Sequence, residues 1–285
     1  MSRYTSIPKN VPEMAETTDS ASPDLPANPG KRDAFKELLS PKSKQQRHTS
    51  SDASALHRKL EKKAIGGPRD ALGAYIAAPE SYPSNVVVYY NDDFVTVHDL
   101  YPKSTLHLLL LPRDLSKTRV HPFDAFEDPQ FLDKVKAEAG KLRSFAAGEL
   151  RRRYGRYSEQ DRAREKALSA EPPPDQLPQG RDWERELMCG IHAGPSMNHL
   201  HVHIIAVDRY SDRLKHRKHY NSFCTPFFVD IEDFPLAPDD RRRHPGREGY
   251  LHRSLVCWRC GEDFGNRFTE LKAHLEKEFI EWRKL

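Results

Sequence analysis

Between His199 and Asp208 the chain reads HLHVHIIAVD, with histidines at positions 199, 201 and 203 and Leu200, Val202 and Ile204 beside them. In a strand, successive side chains alternate faces, so the three imidazoles share one side and the aliphatic residues share the other. Residues two apart then lie about 7 Å apart. Three imidazoles so placed can surround a phosphate, each offering a donor, an acceptor or a nucleophile near neutral pH. An imidazole can attack phosphorus and carry it as a phosphoramidate, dividing one displacement into two easier ones. The same spacing also suits a metal, since histidine is a common zinc ligand and His-x-His puts two on one side. A third reading is the polar face of an ordinary strand. The pattern alone leaves these three open.

A second constellation stands near the end of the sequence. Cys257 and Cys260 form a Cys-x-x-Cys pair, followed after thirteen residues by His274 and four further on by Glu278. FTELKAHLEKEF has helical composition, which puts His274 and Glu278 on one face. The spacing falls in the zinc-finger range, with glutamate where histidine is usual. Four protein ligands leave no open position, so the zinc is expected to be structural and to supply folding energy. Arg241, Arg242, Arg243, Arg247, Arg253, Arg259, Arg267 and Lys272 surround this stretch. Such a cluster suggests contact with a phosphate backbone, positioning a nucleic acid rather than reading its bases. Cys189 and Cys224 are expected to be packing residues, because no sequence feature activates them.

The elements that must hold these groups are legible in outline. The chain has 285 residues, 31% of them charged and 37% hydrophobic, with 22 prolines and a formal net charge of only +4. That is long enough for one or two domains, and the balance of charge names no partner. Residues 1–65 lack apolar periodicity and are expected to form a disordered polar tail, with a short helix near DAFKELL and a basic KSKQQR segment. DALGAYIAA predicts a short helix stopped by Pro79. NVVVYY and FVTVHDL flank the turn residues NDD and predict a hairpin. STLHLLLLP predicts a buried central strand, Asp124 to Phe145 a helix that runs on through a charged stretch, and SAEPPPDQLPQGRD a loop. ERELMCGIHAG and HLHVHIIAVD predict two more strands joined by a tight turn at PSMN. The expected organisation is an α+β domain at 66–235, with a mainly antiparallel sheet and an insertion at about 150–182, followed by a finger module at 236–285. The N-terminus has no apolar signal core and LHLLLL is too short to span a bilayer, so a soluble intracellular protein without membrane contact is expected.

HLHVHII resembles the HφHφHφφ signature of the histidine-triad (HIT) nucleotide hydrolases and transferases. GIHAGPSMNHLHVHIIA, YPKSTLHLLLLP upstream and KHYNSFCTPFF downstream are similar to the aprataxin branch of that family, over roughly Asp70 to Leu285. The resemblance implies His201 as nucleophile, His203 on the phosphate, His199 holding the array, and His192 near the scissile pyrophosphate, assisting the leaving group. It implies Ser196 on a phosphate oxygen, and Lys103 and His107 near the nucleotide and the DNA strand. Lys218, His219, Asn221 and Ser222 lie in a segment suited to positioning a nucleic-acid backbone, or simply to loop structure. Fungal members are similar in carrying a Cys-Cys-His-Glu finger. The implied activity is removal of AMP from 5′-adenylated DNA ends, including nicks and RNA–DNA junctions, through an adenylyl-histidine, with AMP as product and no catalytic metal. A nuclear, monomeric protein is expected. Relatives open the terminal base pair with an apolar wedge on the first helix; Leu72 and Tyr75 are candidates here, with core packing as the plainer role. Two other readings stand beside this one: a general HIT hydrolase of dinucleoside polyphosphates or nucleoside phosphoramidates, and a non-catalytic nucleic-acid-binding zinc protein.

Overall fold

The structure, a computed structural model, describes residues 67–285; the expected tail, DAFKELL and KSKQQR lie outside the described residues. The sheet begins with the expected hairpin, β1 (Val87–Tyr90) and β2 (Phe94–His98). Asn91 makes the turn, its Oδ1 accepting the N–H groups of Asp93 and Phe94. β3 (His107–Pro112) is buried along its whole length, as an uninterrupted apolar run requires. With β4 (Leu187–His192), β5 (Val202–Ala206) and β6 (Phe228–Asp230) it completes an antiparallel six-stranded sheet of order β1-β2-β3-β5-β4-β6. Gly190 is required where β4 meets β6, because a Cβ there would stand 2.1 Å from the Val229 carbonyl oxygen.

Leu108 and Leu110 of β3 and Val202 and Ile204 of β5 face a large core. The long helix covering it differs from the expected one at its start. A single turn, α2 (Pro122–Ala125), follows the short α1 (Gly73–Ala77), and the main helix α3 runs Pro129–Tyr154. The break falls before Pro129, whose ring disfavours helical backbone at Asp128; the Asp128 carboxylate then caps the new helix through Gln130 N and Phe131 N. A further helix, α4 (Glu159–Leu168), is capped by Ser158. On the other face of the sheet, Leu109 and Leu111 pack with Leu72, Tyr75 and Ile76 of the first helical segment.

Two elements escaped the sequence reading. β6 is only three residues long, and KHYNSFC is not a loop but the helix α5 (Arg217–Cys224), burying Tyr220, Asn221, Ser222 and Phe223. After the one-turn α6 (Pro245–Glu248), the last helix α7 (Phe268–Trp282) closes the fold. Apolar packing crosses the composition shift at Leu236–Gly249. Leu214 and Tyr220 share a cluster with Leu255, Cys257, Phe264, Leu271 and Leu275, while Phe279 and Trp282 join the main core. Arg181 lies between the rings of Trp183 and Trp282 at 4.3 and 4.8 Å and donates to the Trp282 carbonyl, so the 150–182 segment holds the end of α7.

Candidate active site

The histidine stretch is not one continuous strand. The ladder starts at Val202; His199, Leu200 and His201 belong to the connection that follows β4, and PSMN is part of that longer connection rather than a tight turn. The cause is where the backbone donors go. Leu200 N–H donates to the Thr118 carbonyl and Asn198 N–H to the Arg69 carbonyl, each bond drawing the chain away from β3. Alternation still survives: Leu200, Val202 and Ile204 are in the core, while His201 and His203 face a cleft of about 500 Å³. His199 does not line it. Its ring packs on α1, where a Cβ on Gly73 would come within 2.8 Å of Nε2.

His201 Nδ1 lies 2.8 Å from the His199 carbonyl oxygen. A carbonyl only accepts, so Nδ1 carries the proton and the Nε2 lone pair is left for the cleft. Burial lowers the His201 pKa, against the opposing pull of that carbonyl and of the Asp99 carboxylate, so the ring is neutral at pH 7. His203 Nδ1 meets His107 Nε2 at 2.9 Å. His107 Nδ1 in turn accepts from Lys103 N–H at 3.3 Å and lies 3.4 Å from Asp99 Oδ2. With His107 accepting at Nδ1 it donates from Nε2, which leaves His203 Nε2 as a neutral donor. His203 Nε2 and His192 Nε2 are both buried without a hydrogen-bond partner among the described residues, and the two rings stand 4.5 Å apart. Buried ring nitrogens left unpaired are costly unless a ligand completes them, and a phosphate does so.

Burial holds His107 down to about 4 against the pull of the Asp99 carboxylate, and holds His192 and His203 well below the ordinary 6.5, with neighbouring cations and imidazoles adding to the effect. With its imidazoles neutral, the cluster can meet an anion only through dipoles. It also makes the fold acid-sensitive. Below pH 6.5 the unfolded chain takes protons that the native cluster refuses, so stability falls as pH drops toward 4. His107 alone contributes a loss on the order of 3 kcal/mol by pH 4. Thermal melts across pH 8 to 4 should be flat above about 7 and decline steadily below about 6.5.

The structure brings the other expected site residues to the same cleft. Ser196, Lys103, His107, Lys218 and His219 all line it with His192, His201 and His203. Lys103 Nζ hydrogen-bonds the Tyr101 carbonyl, and burial lowers its pKa. His107 is buried and bonded within the cluster, so it acts on any ligand through His203. Asn221 has a structural job, donating to the Arg253 carbonyl at 2.8 Å. Leu72 and Tyr75 are 6% and 4% exposed, which places them as packing that also forms a cleft wall. Sequence reasoning missed Asp99, whose carboxylate accepts from Tyr101 N–H and sits beside His107. Its signal was a carboxylate directly after β2, in the stretch HDLYPKSTLH that leads to Lys103 and His107. Asp99, His107 and His203 bring donor atoms within 4.8 Å of one another, but the direct His107–His203 bond already engages the facing nitrogens.

At the finger, donor atoms of Cys257, Cys260, His274 and Glu278 all lie within 4.8 Å of one another. Cys260 Sγ is 3.2 Å from His274 Nε2, which is 3.3 Å from Glu278 Oε1. Ligand–ligand edges of about 3.3–3.8 Å are what tetrahedral zinc with bonds of 2.0–2.3 Å requires, so the residues fit that ion. Glu262 lies 3.6 Å from the other ring nitrogen of His274, and Arg259 pairs with Glu278, orienting two ligands from behind. The surrounding cations are less available than the sequence suggests. Arg241, Arg242, Arg243, Arg259 and Arg267 each pair with a carboxylate, and Arg253 lies 4.0 Å from one. Among the described residues no helix is long and apolar enough to cross a membrane.

Residues 81–210 match the HIT domain, and residues 224–281 match the C2HE / C2H2 / C2HC zinc-binding finger. An aprataxin-like protein of Schizosaccharomyces pombe is 40% identical over 75% of this chain and 82% of its own length. One from Saccharomyces cerevisiae is 34% identical over 74% of this chain and 95% of its own. Among solved structures, the aprataxin ortholog Hnt3 in complex with DNA is 38% identical, with a TM-score of 0.60 over 75% of this chain and 96% of that one. Hnt3 in complex with DNA and guanosine superposes with a TM-score of 0.59.

Proposed function

The chain belongs to the aprataxin family of histidine-triad proteins, and from that premise we propose that it is a DNA-repair hydrolase removing AMP from 5′-adenylated DNA ends. The observation that carries this reading is the neutral His201, its proton fixed at Nδ1, beside the two unpaired nitrogens of His192 and His203. His201 Nε2 attacks the α-phosphorus of the adenylate, and the bond from that phosphorus to the bridging oxygen breaks. The DNA 5′-phosphate leaves with the bonding electrons, aided by His192. His203 Nε2–H donates to a phosphate oxygen as charge builds there. Attack places a positive charge on the His201 ring, which the His199 carbonyl and the Asp99 carboxylate stabilise. Water then attacks the same phosphorus, the P–N bond breaks, its electrons return to Nε2, and AMP departs as the water proton passes to solvent.

Support for a DNA substrate comes from Hnt3, which forms a complex with DNA, and from the cations Lys103 and Lys218 at the cleft. Ser196 is assigned to a phosphate oxygen, and His219 and Lys218 to the DNA strand. Zinc at the finger supplies a structural cross-link, and the ligand side chains hold the module that carries it. A nuclear location is part of the same proposal. The test compares AMP release from a 5′-adenylated nick, an adenylated RNA–DNA junction and a free dinucleoside polyphosphate. AMP should appear fastest from a nucleic-acid substrate; preference for the free dinucleotide would reject the DNA assignment.

A further inference from the structure

Among the described residues the loop that leads into His201 has no sheet partner, and what holds it is specific. Asp70 Oδ1 accepts from Asn198 Nδ2 at 2.9 Å, and the same oxygen pairs with Arg119 at 2.9 Å. Asn198 N–H donates to the Arg69 carbonyl, and Arg69 Nε donates to the Ser196 carbonyl at 2.9 Å. On the far side, Leu200 N–H is taken by Thr118, the neighbour of Arg119. The peptide carbonyl of His199 thus sits between two anchored residues, and that carbonyl fixes the proton of His201. The His199 side chain is seated on Gly73, in the same short segment as Asp70. Pro68, Arg69, Leu72 and Tyr75 of this segment also line the cleft.

We propose that Asp70 is a positioning residue for the nucleophile: by latching Asn198, it sets the His199 carbonyl that orients His201. The latch rests on the hydrolase reading for its kinetic test, and on geometry alone for its spectroscopic one. Releasing Asn198 lets the His199 peptide rotate, so His201 loses the acceptor that keeps its proton on Nδ1. The substrate still binds, because none of the latch residues supplies the unpaired nitrogens that meet the phosphate.

Three variants separate the possibilities: Asn198→Asp, which sets two carboxylates against each other; Asn198→Ala, which removes the bond without new charge; and the swap Asp70→Asn with Asn198→Asp, which restores a bond with donor and acceptor reversed. In single-turnover assays on a 5′-adenylated nick, both single variants should slow AMP formation by about tenfold or more, since small misplacements of reacting groups carry such penalties. Their KM should stay near the wild-type value, and the swap should recover most of the rate. Wild-type speed in Asn198→Ala, or a swap no faster than Asn198→Asp, would overturn the latch. A second readout needs no substrate. By ¹⁵N NMR the wild-type His201 should show a protonated Nδ1 and a bare Nε2, and Asn198→Ala should show the two tautomers mixed. An unchanged spectrum rejects the latch; an inactive wild-type protein with the expected spectra rejects the hydrolase reading and keeps the latch.

Discussion

His201→Ala should release AMP from a 5′-adenylated nick at least about a thousandfold more slowly than the wild-type protein, while still binding the DNA. The magnitude follows from what is removed. A nucleophile is the reaction path itself, whereas a donor such as His203 Nε2–H stabilises charge on that path and costs about a hundred- to a thousandfold when lost. His203→Ala should therefore retain a slow, measurable rate, and His199→Ala should lose less, since its ring lies on Gly73 outside the cleft and only its backbone carbonyl touches His201. The ordering His201, then His203, then His199 is the signature of a histidine nucleophile. Acid-quenched reactions with labelled adenylate should trap AMP on the wild-type protein and none on His201→Ala. Turnover retained by His201→Ala would remove the covalent mechanism.

The order of these effects follows residues that are only partly legible in the sequence. Period-two alternation correctly divides His201 and His203 from Leu200, Val202 and Ile204, because a buried apolar face fixes which way each side chain points. It does not show that the ladder stops at Val202, since that depends on the Thr118 and Arg69 carbonyls, which are remote in sequence. Asp128-Pro129 is a local signal for the start of α3, and it stands in the sequence. α5 is hidden for a different reason: its short amphipathic stretch of histidine, asparagine and serine resembles a loop, and only packing against Leu255 and Leu271 makes Tyr220 a core residue. The finger ligands are readable because zinc geometry imposes spacing on the chain. The pairing of the nearby arginines is not, because Asp233, Glu127 and Glu278 reach them only through the fold.

Removing the zinc, by chelation or by Cys257→Ser, should abolish activity through loss of structure, and with the timing of unfolding. Structural zinc contributes about 10–16 kcal/mol of apparent binding energy in small modules, comparable with the stability of a whole domain. Here that energy does not stay within the finger. Cys257 shares its cluster with Tyr220 of α5, and the Tyr220 hydroxyl donates to the Val256 carbonyl and accepts from Trp258 N–H at 2.8 and 2.9 Å. Asn221 ties the same helix to Arg253. Since α5 also supplies Lys218, His219 and Ser222 to the cleft, releasing the metal loosens one wall of the site without touching His201. After addition of chelator, AMP release and tertiary signals such as tryptophan fluorescence should decay together over the time the ion takes to dissociate. Restored zinc should bring both back only as fast as the module refolds. Activity that vanishes at once while the fluorescence holds, and returns at once with zinc, would instead put a metal among Asp99, His107 and His203, the other place among the described residues where donor atoms gather. The direct bond between His107 and His203 favours the slow outcome, because those nitrogens already serve each other.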